Sequence, residues 1–198
     1  MSSERSASAA RKTSETNIEI TLGLDGNGQS RIDTGISFFN HMLNLWASHG
    51  LFNLDVEADG DIEVDYHHTV EDVGLVLGEA LKRALGKKRG IRRYGHATVP
   101  MDEALAAVTI DLSGRPYLVF NVPINGRHGA VFDTLLAKEF FRAVASSAGI
   151  TLHISLLYGE NEHHIIEAVF KAFGRALDQA VSADARVPGV PSTKGVLT

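Results

Sequence analysis

The chain has 198 residues, 44% of them apolar and 22% charged, with a formal net charge of −5 and no cysteine. That composition suits one globular domain with a proper core. It excludes disulfides and thiolate metal sites, argues against nonspecific nucleic-acid binding, and includes no apolar run near the ~20 residues of a membrane helix.

Residues 1–12 (MSSERSASAARK) lack the apolar centre of a secretory signal and read as a disordered tail. Residues 16–24 alternate apolar and polar, as a strand does, and Asp25-Gly26-Asn27-Gly28 is a turn whose returning partner is expected at 29–33. Helical spacing of Phe38, Met42, Leu45 and Trp46 predicts a helix over 37–49. Residues 51–58 and 61–64 then flank a hairpin turn at Asp59-Gly60, and 67–85 is a helix ending near Gly86. In the second half, 105–112 and 117–122 pair around Ser113-Gly114-Arg115-Pro116. A helix near 133–147, a strand at 150–157 and a helix at 162–182 follow. Residues 187–198 have turn chemistry and no core pattern.

The run His-His-x-x-Glu occurs at His67-His68-Thr69-Val70-Glu71 and again at His163-His164-Ile165-Ile166-Glu167. Residues four apart share a helix face, so His67 and Glu71 can reach one ion. Adjacent histidines point about 100° apart and must serve different ones. Two copies brought together can therefore build two metal sites with shared ligands. Aligning 67–85 with 163–181 gives eight identities in 19 positions, so the motif belongs to a longer repeat. Upstream, Ser48-x-Gly50-Leu51 echoes Ser147-x-Gly149-Ile150, and His41 falls opposite Glu139 if one residue is inserted after it in the second copy. The fold expected is α+β: half-repeats at 13–92 and 93–186 inside one domain, each a mainly antiparallel sheet covered by helices.

Plain structural readings compete with these. His49, His96, His128 and His153 read by default as hydrogen-bonded core histidines, although His49 shares a helix with His41. Paired helix N-termini with acidic caps would explain Asp65, Glu71 and Glu162, but not two adjacent histidines twice. Lys87-Lys88-Arg89 with Arg92-Arg93 is a solvated turn or an anion site. Arg115 and Lys194 are ambiguous alone.

Six segments carry a resemblance: 39–43 (FNHML), 47–50 (ASHG), 67–72 (HHTVED), 111–117 (DLSGRPY), 163–168 (HHIIEA) and 191–195 (PSTKG). Together they resemble the imidazoleglycerol-phosphate dehydratase family over about residues 11–198. The resemblance implies a ribosomal-S5-domain-2-like fold and a cytoplasmic enzyme of histidine biosynthesis, a hydro-lyase that converts imidazole glycerol phosphate to imidazole acetol phosphate. It also implies a homo-oligomeric shell, a 24-mer, with active sites shared between subunits. The length leaves no room for the phosphatase domain fused in some relatives, so a monofunctional form is expected.

Two Mn(II) ions per active site are implied. One ion takes His41, His68, His164 and Glu167; the other takes His67, Glu71, His163 and Glu139. Nitrogen and carboxylate ligands without sulfur suit Mn(II) or Fe(II), although affinity alone favours Zn(II). Many relatives have histidine at the position of Glu139, and Asn40 replaces an aspartate expected to orient His41. His96 stands where aspartate is common. The catalytic positions implied are Glu15, Glu71, Glu167 and His49, with Asp102 a rival to Glu15 for proton transfer. Glu15 and His49 also face substrate, while Arg93, Arg115, Lys171, Ser192, Thr193 and Lys194 are the implied phosphate contacts, which makes 187–198 an active-site tail. Two rivals remain: a di-iron carboxylate bundle, which the hairpin signals oppose, and a module in which metal merely staples subunits.

Overall fold

Alternation in the sequence TNIEITLG becomes strand β2 (Thr16–Gly23), with Ile18, Ile20 and Leu22 buried and Asn17, Glu19 and Thr21 exposed. The computed structural model describes residues 5–123, 132 and 134–197. Around β2 the first half adds β1 (Ser6–Lys12), β3 (Ser30–Asp33), α1 (Ser37–Gly50), β4 (Asn53–Gly60) and α2 (His67–Leu85). The second half repeats the plan with β5 (Tyr94–Met101), β6 (Ala104–Asp111), β7 (Tyr117–Asn121), α3 (Thr134–Ala148), β8 (Thr151–Tyr158) and α4 (Glu162–Val181). The sheets have matching orders, β1-β2-β4-β3 and β5-β6-β8-β7, each with two antiparallel pairs and one parallel pair.

Three local expectations give way to long-range pairing. Residues 6–12, read as part of a disordered tail, form β1 along the whole of β2, and Arg5 pairs with Asp25 to tie down its start. Strand β3 does not return against β2. It crosses through α1 to lie parallel to β4, which takes the place beside β2, and β7 likewise pairs with β8 and not with β6. Residues 61–64 are a turn, not a strand, with Ile62 and Val64 exposed. Strand β5 was not foreseen; it lies at a sheet edge, where Pro100 costs no interior ladder bond.

The helices of the two halves pack across each other, α1 on α4 and α2 on α3, over one continuous core. Glycines set the approach. A Cβ on Gly174 would lie 2.6 Å from Trp46 O and 3.1 Å from Gly50 N; one on Gly78 would lie 2.9 Å from Val144 O and 3.0 Å from Ala148 N. Trp46 and Val144, Gly50 and Ala148, and His41 and Glu139 are all 98 positions apart, so α1 and α3 match without an insertion. Both helices end on a left-handed residue at that same spacing, Leu51 (φ 58°) and Gly149 (φ 64°). The Ser-x-Gly echo is thus one residue out of structural register. The strands β1–β3 recur 88 positions on: Ser6 matches Tyr94 and Thr16 matches Ala104.

Candidate active site

Both His-His-x-x-Glu runs open a helix, and both are held there by a side chain two residues upstream. Asp65 Oδ1 accepts from His67 N at 2.7 Å, and Asn161 Oδ1 accepts from His163 N at 2.9 Å. Each contact satisfies a backbone donor that the helix start leaves free. One turn on, each glutamate faces its histidine: His67 Nε2 lies 3.4 Å from Glu71 Oε2, and His163 Nε2 lies 3.3 Å from Glu167 Oε2.

Packing of α1 on α4 brings a third group. His41 Nε2 lies 3.7 Å from Glu167 Oε2, and His41, His163 and Glu167 offer ligand atoms all within 4.8 Å of one another. Two imidazoles and a carboxylate at that spacing can close on one hard or borderline ion. Glu167 is buried, which resists its charge, but Lys171 Nζ at 2.6 Å and the two histidines outweigh that and lower its pKa. The trio cuts across the implied ligand sets, since His163 and Glu167 share a helix face.

Among the described residues this is the one such cluster in a single chain. Glu139 is not in it and forms an ion pair with Arg142. It nonetheless occupies on α3 the place His41 has on α1, and α3 packs on α2, whose first two turns carry His67 and Glu71. The helix pair that builds the observed trio is therefore repeated with Glu139, His67 and Glu71.

His68 and His164 turn away from these faces toward carboxylates. His68 Nδ1 lies 3.0 Å from Asp61 Oδ2 and 3.8 Å from Glu15 Oε2; His164 Nδ1 lies 2.7 Å from Glu103 Oε2, with Asp102 Oδ2 3.9 Å from its Nε2. Donating Nδ1–H to Asp61 raises the His68 pKa, and donating Nδ1–H to Glu103 raises the His164 pKa. Glu103 is held down to about 2 by His164 and by backbone donors, Asn161 N foremost. Sequence reasoning missed both Asp61 and Glu103. The signal was there for Glu103: it stands 88 positions after Glu15, the spacing of the strands on either side. Glu15 is exposed, in a polar cleft of about 450 Å³ lined also by Lys12, Asn17, Asp59, Asp61 and Glu63.

The other expected contacts are spread more widely. Arg93 is clamped to Asp111 (Nε–Oδ1 2.7 Å, Nη2–Oδ2 3.1 Å) and donates to Pro191 O at 2.8 Å, so it holds the C-terminal segment. Gly90 N donates to Gly189 O at 2.8 Å, a second tie on that segment. Ser192 Oγ accepts from Lys194 N, and Thr193, Lys194 and Arg115 are exposed. Lys171 sits between Glu167 and Met101 Sδ. His49 is half-buried; burial first, then the charges of Lys171 and Arg175, lower its pKa and favour neutral imidazole. The Asn40 side chain is engaged with the segment just before α1, where its Oδ1 accepts from Thr34 N and Oγ1. His96 and His153 are not core histidines, being exposed on the open face of the second sheet, and His128 lies outside the described residues.

Fold and site define a duplicated α+β protein with a His/Glu cluster fit for a divalent cation at the crossing of its halves. The family model described as imidazoleglycerol-phosphate dehydratase matches residues 34–177. A protein of that name from Acetivibrio thermocellus is 61% identical over 194 residues, covering 98% of this chain and 100% of the relative. One from Pelobacter propionicus is 60% identical over 193 residues, covering 98% and 99%. The Staphylococcus aureus dehydratase crystal structure superposes with a TM-score of 0.78 at 45% identity, covering 89% of this chain and 99% of that one. The Pyrococcus furiosus IGPD structure, in complex with (S)-C348, gives a TM-score of 0.83 at 38% identity, covering 95% and 99%. The chain belongs to the imidazoleglycerol-phosphate dehydratase family of hydro-lyases, which act by dehydration in histidine biosynthesis. No helix among the described residues is long and apolar enough to cross a membrane.

Proposed function

We propose that this chain dehydrates imidazole glycerol phosphate to imidazole acetol phosphate at a site that takes two Mn(II) ions. The observation that carries the reading is the convergence of His41, His163 and Glu167 within 4.8 Å, on a helix pair that the duplication repeats. His41, His163 and Glu167 are the core of one ion site; Glu139, His67 and Glu71 are the core of the other. His68 and His164 complete the coordination. Bound there, Mn(II) supplies Lewis-acid polarisation of the substrate imidazole, so that the ring can take up charge as the adjacent carbon loses its proton.

The chain's own groups do the rest. Glu15, which lines the polar cleft, is the group to which we assign the proton transfer. Asp102, 3.9 Å from His164, is the competing carboxylate. His49, kept neutral by burial and by the cations beside it, can accept or donate a hydrogen bond to the substrate diol. Arg115, Ser192, Thr193 and Lys194 offer donors to the phosphate, with Arg93 anchoring the segment that carries three of them. Lys171 has a dual part: it balances Glu167 here and is a phosphate contact once an ion takes that carboxylate.

We further propose a cytoplasmic homo-oligomer, a 24-mer, because one chain gathers only part of either ligand set. Light scattering checks the assembly against the 21.4 kDa chain. The decisive experiment is product formation from imidazole glycerol phosphate by metal-stripped protein with and without added Mn(II). Manganese-dependent turnover is expected. Full turnover in excess chelator contradicts the metal-dependent reading.

A further inference from the structure

The second histidine of each His-His run, His68 and His164, is held at Nδ1, but by carboxylates that do not match in the repeat. Glu103 holds His164 at 2.7 Å. Its counterpart by the spacing of the hairpins is Glu15, which stands 3.8 Å from His68. The contact to His68 is made by Asp61, at 3.0 and 3.3 Å. The residue 98 positions after Asp61 is Gly159, which has no side chain to offer. In the second half, therefore, the carboxylate of the β5–β6 turn orients the histidine, while in the first half a residue after β4 does so and the β1–β2 turn carboxylate is released.

We propose that Asp61 and Glu103 are a pair of positioning residues. They keep the proton of His68 and His164 on Nδ1 and present Nε2 as the ligand atom, and this division of labour is what frees Glu15 for the substrate. The inference rests on the reading of His68 and His164 as Mn(II) ligands. A carboxylate only accepts hydrogen bonds, so the ring nitrogen facing it must carry the proton. The opposite nitrogen then has its lone pair free, the arrangement by which neighbouring carboxylates orient metal-binding imidazoles. Glu103 is doubly fixed: its Oε1 accepts from Asn161 N at 2.8 Å and Glu160 N at 3.3 Å, leaving Oε2 for His164.

That second anchor makes a discriminating variant available. In Glu103→Gln the two backbone donors keep the amide oxygen where Oε1 was, so the amide NH2 faces His164 Nδ1. A donor there drives the ring proton onto Nε2 and blocks the ligand atom, while the turn stays tied to α4. Metal-stripped protein is titrated with Mn(II), and free Mn(II) is read by its EPR signal. Wild type is expected to bind two ions per chain. In E103Q one of them should weaken by about 10–100-fold, with unchanged circular dichroism. Asp61→Asn should do the same through His68, and Glu15→Gln should leave both ions as tight as in wild type. The double variant E103Q/H164A should be no weaker than H164A alone, because the two changes remove one interaction. Wild-type affinity in E103Q while H164A loses an ion would overturn the proposal, as would an additive double variant. Two tight ions in H164A would instead remove His164 from the ligand set, a failure of the underlying reading that the titration tells apart.

Discussion

The α1–α4 crossing and the α2–α3 crossing are the same construction with different cargo. Both bring a helix-start His-x-x-x-Glu pair against the middle of a neighbouring helix, and both use a glycine to let the backbones meet. At α1–α4 the opposing residue is His41 and the result is an assembled trio. At α2–α3 it is Glu139, whose extra negative charge is taken up by Arg142, the residue matching Asn44. Each crossing also holds a cation against a carboxylate: Lys171 on Glu167 in the first and Arg142 on Glu139 in the second. The two crossings differ in the residue set against the His-x-x-x-Glu pair and in where its cation comes from, and not in how the helices are built together.

Changing Glu167 should give the largest effect, because it is the buried centre of the assembled crossing. Glu167→Gln is expected to release one ion and lower kcat by more than a hundredfold, read by elemental analysis and steady-state kinetics on the same sample. Glu139→Ala should lower metal content and activity by over tenfold, the order expected on losing a ligand or its close support. Glu139→His should keep substantial activity by making the second crossing resemble the first. An alanine variant with wild-type metal content would place Glu139 with Arg142 alone.

The C-terminal segment offers a finer contrast, being tied to the second half through Arg93 and Gly90. Deleting 190–198 should raise KM strongly with little change in metal content or circular dichroism, since binding energy spent on a remote phosphate positions the reacting carbons. Lys194→Ala should be a milder version, a loss of about 1.5–3 kcal/mol for a charge-assisted contact. Normal KM in the truncated protein would leave the segment without a part in binding. The smallest effect concerns the helix ends. Leu51 adopts φ 58° where the second half has Gly149 at φ 64°. Leu51→Gly should relieve left-handed strain of about 1 kcal/mol, partly offset by the freer unfolded chain, and raise Tm slightly without touching activity.

The helices, the duplication and the facing of each histidine by the glutamate four residues on were legible in the sequence because each rests on local spacing. His67 and Glu71 share a face for the same reason the apolar residues of α2 do. Sheet order was not legible. The turns at 25–28 and 113–116 are real, but nothing local says that β4 and β8 will insert beside β2 and β6 and push β3 and β7 to the edge. Strand β1 was hidden by its composition: SASAARK buries only Ala9, since an edge strand covered on one face needs little apolar surface. The pairing of Glu15 with Glu103 was hidden by sequence divergence around it. It emerges only once the hairpins are matched at their own spacing, ten positions short of that for α1 and α3.

Anomalous diffraction at the manganese edge, on crystals of Mn(II)-loaded protein, tests the duplicated metal site most directly. Two peaks per chain are expected: one within bonding distance of His41, His163 and Glu167, the other of Glu139, His67 and Glu71, with Arg142 withdrawn from Glu139. A single peak, with Glu139 still paired to Arg142, would contradict it.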